Sequence, residues 1–304
     1  MNELIVTQDA ESRHRRWFNC INIPFDFENL IRGELEVFAH EQDLVFQSPE
    51  PIVVRDPDGN QLNAYVLGFR AGTNEQNRRN FPLAIQFLAT FGGGEDDITI
   101  RSYFPVYDGG AVVPVKLTAI REWENGMEAT LEGLMLDETR EVIFYDTRYA
   151  LFKTRYKVGE TYPFRLAGFA HCAEILKSTK EKLSPRATEM LRRKMGEPIE
   201  KDAEGNVVPM TIDTKDMVAF VSRGGEYPDD HEFQARIRKV GDASHYTDKH
   251  HVIGIACARG DDDKVVEIPL IVNPALLGRT WPKPGQRIRG ILWMQGHCAA
   301  DLKH

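Results

Sequence analysis

The sequence lacks the features that stabilise secreted proteins and anchor membrane proteins. It has 304 residues and only four cysteines, Cys20, Cys172, Cys257 and Cys298. These are too few and too dispersed for a disulfide framework. No apolar run approaches the roughly 20 residues that a membrane helix needs, and the polar first 16 residues lack the apolar core of a signal peptide. We therefore expect a cytoplasmic protein with no membrane partner.

Several short catalytic motifs are also absent. The chain contains no Gly-x-x-x-x-Gly-Lys-Ser/Thr loop, no Gly-x-Gly-x-x-Gly, no Gly-x-Ser-x-Gly and no His-Glu-x-x-His, which are signatures of nucleotide binding and hydrolysis. Lys and Arg total 38 and Asp and Glu total 46, which gives a net charge of −8. An acidic chain is unfavourable for binding dominated by phosphate contacts. These absences favour a binding protein without a cofactor over an enzyme.

The most informative feature that is present is an internal repeat. Residues 149–173 align without a gap to residues 275–299 at an offset of 126, and eight of the 25 positions are identical. The last three identities form the tripeptide His-Cys-Ala, at 171–173 and at 297–299. Residues 115–120 also resemble residues 232–237, now at an offset of 117. We interpret the pattern as a duplication, with a surface-loop insertion of nine residues at 241–249 in the second copy.

Both copies are expected to consist mainly of β-strands. Short apolar or alternating segments separated by Gly and Asp turns are typical of antiparallel strands. In the first copy they fall at 97–104, 112–121, 127–135, 140–146 and 161–169, with a short helix within 147–156. In the second they fall at 217–222, 231–239, 250–258, 264–272 and 286–294. Five strands with a helix before the last resemble the order of an OB-like barrel, a five-stranded Greek-key barrel. A small sandwich fits the same pattern.

The remaining segments complete a mainly β, α+β chain. Ser184 and Pro185 are typical of a helix start, and Gly196 of a helix end. The predicted division is an N-terminal helix-and-strand extension at 1–95, a first β module at 96–175, a helical linker at 176–210 and a second β module at 211–304. In the extension we expect a helix over 25–42 and strands at 52–55, 62–70 and 83–90.

The repeated His-Cys pair is a candidate metal site. Histidine and cysteine are both zinc ligands, so His171, Cys172, His297 and Cys298 are candidates. Neighbouring residues on a strand point to opposite faces, and no short Cys-x₂₋₄-Cys pair accompanies them. We therefore favour no metal, and interpret the cysteines as buried and the histidines as capping the strand ends. His245, His250 and His251 are interpreted as residues of a solvated loop.

Aromatic and basic residues supply the alternative of a single-stranded nucleic acid ligand. Small barrels bind single strands by stacking bases on aromatic rings within a basic groove. The candidate rings are Tyr156, Tyr162, Trp281 and Trp293, although packing in the core is the interpretation that we favour for these aromatic residues. The candidate basic cluster is Arg192, Arg193 and Lys194, in a segment (173–195) with seven basic and three acidic residues.

The sequence therefore predicts a non-enzymatic binding or adaptor protein of bacterial or phage type, made of two duplicated β modules joined by a basic helix. A protein is the expected partner, because duplicated modules present two similar sites. Two alternatives stay open: a single-stranded nucleic acid-binding protein with OB-like modules, and a metal-dependent enzyme.

Overall fold

The computed structural model describes Arg16, Trp17 and Cys20, four strands at 44–47, 52–55, 61–69 and 83–91, and residues 98–110, 112–135, 138–245, 248–260 and 264–300. The helix predicted over 25–42 lies outside these residues. The described part is mostly β, as predicted. No helix within it is long and apolar enough to span a membrane.

The first five strands form a sheet of their own. They are β1 (Leu44–Gln47), β2 (Ile52–Arg55), β3 (Gln61–Phe69), β4 (Leu83–Phe91) and β5 (Ile98–Tyr107). Their order is β1-β3-β4-β5, with β2 also paired to β3. The three strands predicted in the extension are confirmed within one residue. The strand predicted at 97–104 also exists, but it pairs with β4 of this sheet.

Nine further strands form one large mixed sheet. They are β6 (Val112–Glu122), β7 (Ala129–Met135), β8 (Arg140–Asp146), β9 (Thr161–Leu176), β12 (Ala219–Ser222), β13 (Asp230–His245), β14 (Asp248–Arg259), β15 (Val265–Val272) and β16 (Arg287–Cys298). The pairings close two rings of five strands. One is β6-β7-β8-β16-β9, the other is β13-β14-β15-β9-β16, and β9 and β16 belong to both.

A separate excursion interrupts the sheet between β9 and β12. It contains β10 (Lys180–Lys182), helix α2 (Pro185–Met195) and β11 (Thr211–Asp213). Ser184 caps the helix through a bond from the Ala187 amide, and Gly196 ends it with φ of 72°. Both ends are therefore where the sequence predicts them. The other helices are short: α1 (Tyr149–Phe152), within the predicted segment, and a 3₁₀ turn (Pro274–Leu277).

One core fills both rings. Side chains from β6 to β9 and from β13 to β16 contribute to a single buried apolar cluster, including Phe144, Phe164, Ile255, Leu270 and Leu292. The alternation of apolar and polar residues, which predicts most of these strands, also determines which side chains enter this core.

The prediction of an inserted surface loop at 241–249 is wrong. Residues 241–245 continue β13 and residues 248–249 begin β14, so this stretch forms the end of a long antiparallel hairpin. His250 and His251 are buried, at 1% and 4% exposure, so these two histidines are not on a solvated loop. Ala243, in the same stretch, is also buried, at 3% exposure.

Candidate functional site

Four neighbouring strands present one open surface, which we call the four-strand face. Side chains two residues apart on a strand lie on the same side, and the registers of β12, β13, β16 and β9 align them in two rows. The first row is Val221, Glu232, Ile291 and Cys172. The second row is Ala219, Gln234, Arg289 and Glu174.

This face forms the floor of an open cavity of about 470 Å³. Val221 is 63% exposed although it is a large apolar residue in a strand. Cys172 is exposed, whereas Cys20, Cys257 and Cys298 are buried. Gly290 allows β16 and β9 to approach here, since a Cβ at this position would lie 2.0 Å from the Cys172 carbonyl oxygen. The cavity therefore combines apolar surface with an accessible thiol.

Ion pairs flank the apolar residues Val221 and Ile291, and one pair includes Glu232, which lies between these two residues in the first row. The Arg289 Nε donates to Glu174 Oε1 at 2.5 Å, and the Arg223 Nε lies 3.8 Å from Glu232 Oε1. The charged groups are exposed, so each pair adds little stability. Their effect is to place polar groups around Val221 and Ile291, an arrangement common at protein-binding surfaces.

One end of the same sheet side is covered by the helical residues Arg16 and Trp17. Trp293 follows Ile291 by two positions and is fully buried beneath Trp17, with ring centroids 4.1 Å apart in a stacked arrangement. The Trp293 Nε1 donates to Asp229 Oδ2 at 2.9 Å. The Arg16 guanidinium contacts the Asp230 carboxylate and lies 3.7 Å from the Tyr227 ring centroid.

A β-bulge positions a histidine at this covered end. In the β9–β16 register, Ile291 pairs with Cys172 and Leu292 pairs with Ala170, so His171 is the extra residue. Bulges redirect side chains. The Cys20 Sγ lies 3.1 Å from His171 Nδ1, and His171 Nε2 lies 3.1 Å from Asp230 Oδ1.

This thiol, imidazole and carboxylate arrangement has the connectivity of a nucleophile with its base and an orienting acid. The environment of Cys20 opposes that role. Burial, at 1% exposure, raises the pKa of the Cys20 thiol far above its ordinary value, so the thiol stays protonated. Burial also raises the pKa of Asp230, but bonds from His171 and Arg16 outweigh it and the net pKa is lowered. The cluster therefore attaches the helical residues to the sheet.

The other end of the sheet side is covered by the chain before β12. Arg287 is two positions before Arg289 and only 2% exposed, and its Nη1 donates to the Met217 carbonyl oxygen at 2.5 Å. Burial lowers the pKa of Arg287. The open four-strand face thus lies between two covered ends.

The predicted basic cluster lies on α2, outside this face. Arg192 is paired with Glu200 at 3.2 Å and donates to the Pro198 carbonyl oxygen, and Arg193 is paired with Glu189 at 2.5 Å. Lys194 is exposed. Glutamates therefore neutralise much of the charge that the sequence assigns to this segment.

Most of the predicted aromatic candidates are not available for stacking. Trp293 is buried, and Tyr156 is 6% exposed with its hydroxyl donating to Asp146 Oδ2 at 2.7 Å. The half-buried Tyr162 donates to the Arg155 carbonyl oxygen. Trp281 is 59% exposed, with its ring edge-on to the His251 ring. Tyr156 and Tyr162 pack edge to face, with ring centroids 5.2 Å apart, whereas Trp293 stacks on Trp17 and Trp281 lies against His251.

The metal candidates are also separated. His171 contacts Cys20 and Asp230, whereas His297 contacts Asp108 at 3.1 Å. Burial lowers the pKa of His297 although Asp108 opposes the shift. Cys172 is exposed on the four-strand face and Cys298 is buried. Within the described ranges, no group of three or more His, Cys, Asp and Glu side chains could hold a metal ion.

Comparison with known proteins gives no relative. No protein-family model matches the chain, and neither the curated proteins nor the solved structures contain a match. A functional interpretation therefore depends on the geometry of the chain itself.

Proposed function

We propose that the protein is a non-enzymatic binding protein that holds a protein partner on the four-strand face. Two duplicated OB-like barrel modules, each completed by a strand of the other, build that face. Each ring supports the barrel part of the proposal, because its strands follow the order 1-2-3-5-4 of an OB barrel. In the first ring, strands 1 to 4 are β6, β7, β8 and β9, and β16 occupies position 5. In the second ring, strands 1 to 4 are β13, β14, β15 and β16, and β9 occupies position 5.

Strand registers support the duplication independently of sequence identity. Gly168 pairs with Met294, its own counterpart at the offset of 126, so the β9–β16 pairing is symmetric about this point. The parallel pairs Ile271–Phe169 and Tyr145–Gln295 are counterparts at the same offset.

The registers also refine the alignment of the first strands. Leu117 exchanges backbone hydrogen bonds with Gly159 and Glu160, and Ile237 does so with Gly285 and Gln286. Under the proposed duplication, Leu117 therefore corresponds to Ile237 and not, as the sequence offset of 117 implies, to Gln234. The added residues of the second copy are then distributed over its hairpins.

The observation that carries the protein-binding proposal is the exposed Val221, with the half-buried Ile291, on a face whose charged side chains form ion pairs. Val221 and Ile291 lie on either side of Glu232 in the first row, and the exposed Cys172 lies next to Ile291 on the floor of the cavity. Apolar surface with a polar rim is the usual anatomy of a protein interface. The proposed nucleic acid alternative has less support, because its arginines are paired with glutamates and two of its four aromatic rings are buried.

Affinity capture with a matched pair of variants tests this proposal. The tagged protein is incubated with lysate, and retained proteins are quantified for the wild type, Val221→Asp and Val208→Asp. Val208 is also exposed, at 37%, but lies outside the four-strand face. We expect at least one retained protein whose recovery falls at least about tenfold with Val221→Asp and is unchanged with Val208→Asp. The reason is that a charge buried in an interface costs more than about 1.4 kcal/mol.

Two outcomes would contradict the proposal. One is that no retained protein distinguishes Val221→Asp from Val208→Asp. The other is that labelled single-stranded DNA or RNA binds with an affinity that falls steeply as salt rises, which is the signature of phosphate contacts.

A further inference from the structure

We infer that the partner binds the four-strand face as an added β-strand along the free edge of β12. The inference rests on the proposed function and specifies the form of its partner. Within the described part of the chain, β12 pairs with β13 alone and is the terminal strand of the nine-stranded sheet. An edge strand offers a row of backbone donors and acceptors to an extended peptide.

The register shows which backbone groups face outward. The Arg223 amide donates to the Asp230 carbonyl oxygen, and bonded positions alternate along an antiparallel pair. The backbone groups of Ala219 and Val221 therefore face β13, and those of Phe220 and Ser222 face the free edge. An added strand would bond to Phe220 and Ser222.

Cavities lie on both sides of this edge strand. Ala219 and Val221 line the cavity of the four-strand face, and Val218 and Phe220 line a second cavity of about 390 Å³. Side chains of an added strand alternate between the two sides of the sheet. Each cavity would then receive every second side chain, which is how edge-binding domains obtain specificity.

The two cavities differ in charge, and this difference defines the partner. The first presents Val221, Ile291 and Cys172 to an apolar side chain, and its charged side chains are paired, Arg289 with Glu174 and Glu232 with Arg223. The charged side chains that line the second are Arg140 and Arg259, both exposed. We therefore expect an extended segment with apolar residues on one side and carboxylates on the other.

Short peptides test this directly. The probes are labelled, blocked nine-residue peptides alternating valine with aspartate, alternating valine with lysine, and a scrambled valine–aspartate sequence. Fluorescence anisotropy should show saturable binding of the valine–aspartate peptide and at least about tenfold weaker binding of the other two. Arg140→Gln should weaken binding, whereas the control Arg193→Gln, on α2, should not.

Backbone methylation distinguishes strand addition from occupation of a groove by side chains. Methyl groups on the amides of every second residue block hydrogen bonds on only one edge of a strand. We expect one methylation register to weaken binding by about tenfold or more and the other to have little effect, since only one register removes the backbone hydrogen bonds to β12.

Four results would overturn the inference. They are no peptide binding, equal binding of the aspartate and lysine peptides, equal effects of the two methylation registers, and a Val221-dependent dimer in sedimentation that excludes the peptide. If Val221→Asp still abolishes partner capture in the first three cases, the proposed function stands and only strand addition fails.

Discussion

Individual buried groups determine how the protein responds to pH. Asp146 is buried, accepts bonds from the Tyr156 hydroxyl and the Arg148 amide, and its pKa is raised by burial to about 7. A carboxyl group with a raised folded-state pKa destabilises the fold when ionised. The destabilisation is complete above about pH 7 and disappears below the ordinary pKa of 3.8.

Asp146→Asn should therefore stabilise the protein at pH 8 relative to the wild type, by more than about 1 kcal/mol. At pH 4 most of the advantage should be lost, because the folded wild-type carboxyl group is then protonated and the pH is close to its ordinary pKa of 3.8 in the unfolded chain. Denaturant titrations at the two pH values measure this difference. An equal effect at both would show that Asp146 does not titrate as proposed.

Titration of His231 changes the stability of the fold in the opposite direction, so that stability falls as the pH is lowered. Its ring stacks on Phe220 and its Nδ1 contacts the Asp229 carbonyl oxygen, and burial lowers its pKa to about 4. A histidine that is neutral when folded costs stability as the pH falls from 6.5 towards 4, because the unfolded chain takes up the proton. The loss between pH 7.5 and 5 should be about 2 kcal/mol.

His231→Asn can keep a donor near the position of Nδ1 but cannot take up the proton. The variant should be less stable than the wild type at pH 7.5, and that difference should narrow by about 2 kcal/mol at pH 5. Denaturant titration at both pH values provides the measurement. Parallel pH profiles for the two proteins would contradict the assignment.

Residue roles were the least predictable part of the molecule. The sequence favours the core for the aromatic residues as a group but does not indicate that Trp293 and Tyr156 are buried while Trp281 is exposed, because such rings serve in cores and in binding surfaces. The contact between Cys20 and His171 joins residues 151 positions apart, and no local pattern indicates it. Val221 was missed because a single exposed valine has no signature in sequence.

At the scale of elements, local chemistry was a good guide. Ser184, Pro185 and Gly196 predict the ends of α2, since caps are local interactions. Most strands lie where alternation predicts them. The prediction for β9 ended at residue 169, but the strand continues to Leu176 because β16 pairs along it. That extension depends on a partner more than 100 residues away.

Gly290 is the element-scale test of the close approach between β9 and β16. Gly290→Ala should cost about 3 kcal/mol or more of unfolding free energy, since the new Cβ would overlap the Cys172 backbone and force the strands apart. The matched control is Gly241→Ala, where the nearest atom to a new Cβ is 4.0 Å away. Denaturant titration of both variants measures the difference, and equal stabilities would contradict the pairing.

At the scale of the whole molecule, the two rings depend on each other. β9 pairs with β6 and β15, and β16 pairs with β13 and β8, while β9 and β16 pair along their lengths. Separate modules joined by a helix, as the sequence suggests, would not need such sharing. Long-range pairing of this kind is set by tertiary structure, which alternation within one strand does not encode.

The measurement that tests this reciprocal architecture most directly is fragment complementation. Residues 1–210 and 211–304 are produced separately and examined by near-ultraviolet circular dichroism and hydrogen exchange. Each fragment lacks one of the shared strands, so neither should show native tertiary packing alone, and mixing should restore the spectrum of the whole chain and the protection of β9 and β16. Native packing of either fragment on its own, with no change on mixing, would contradict the shared-strand architecture on which the four-strand face depends.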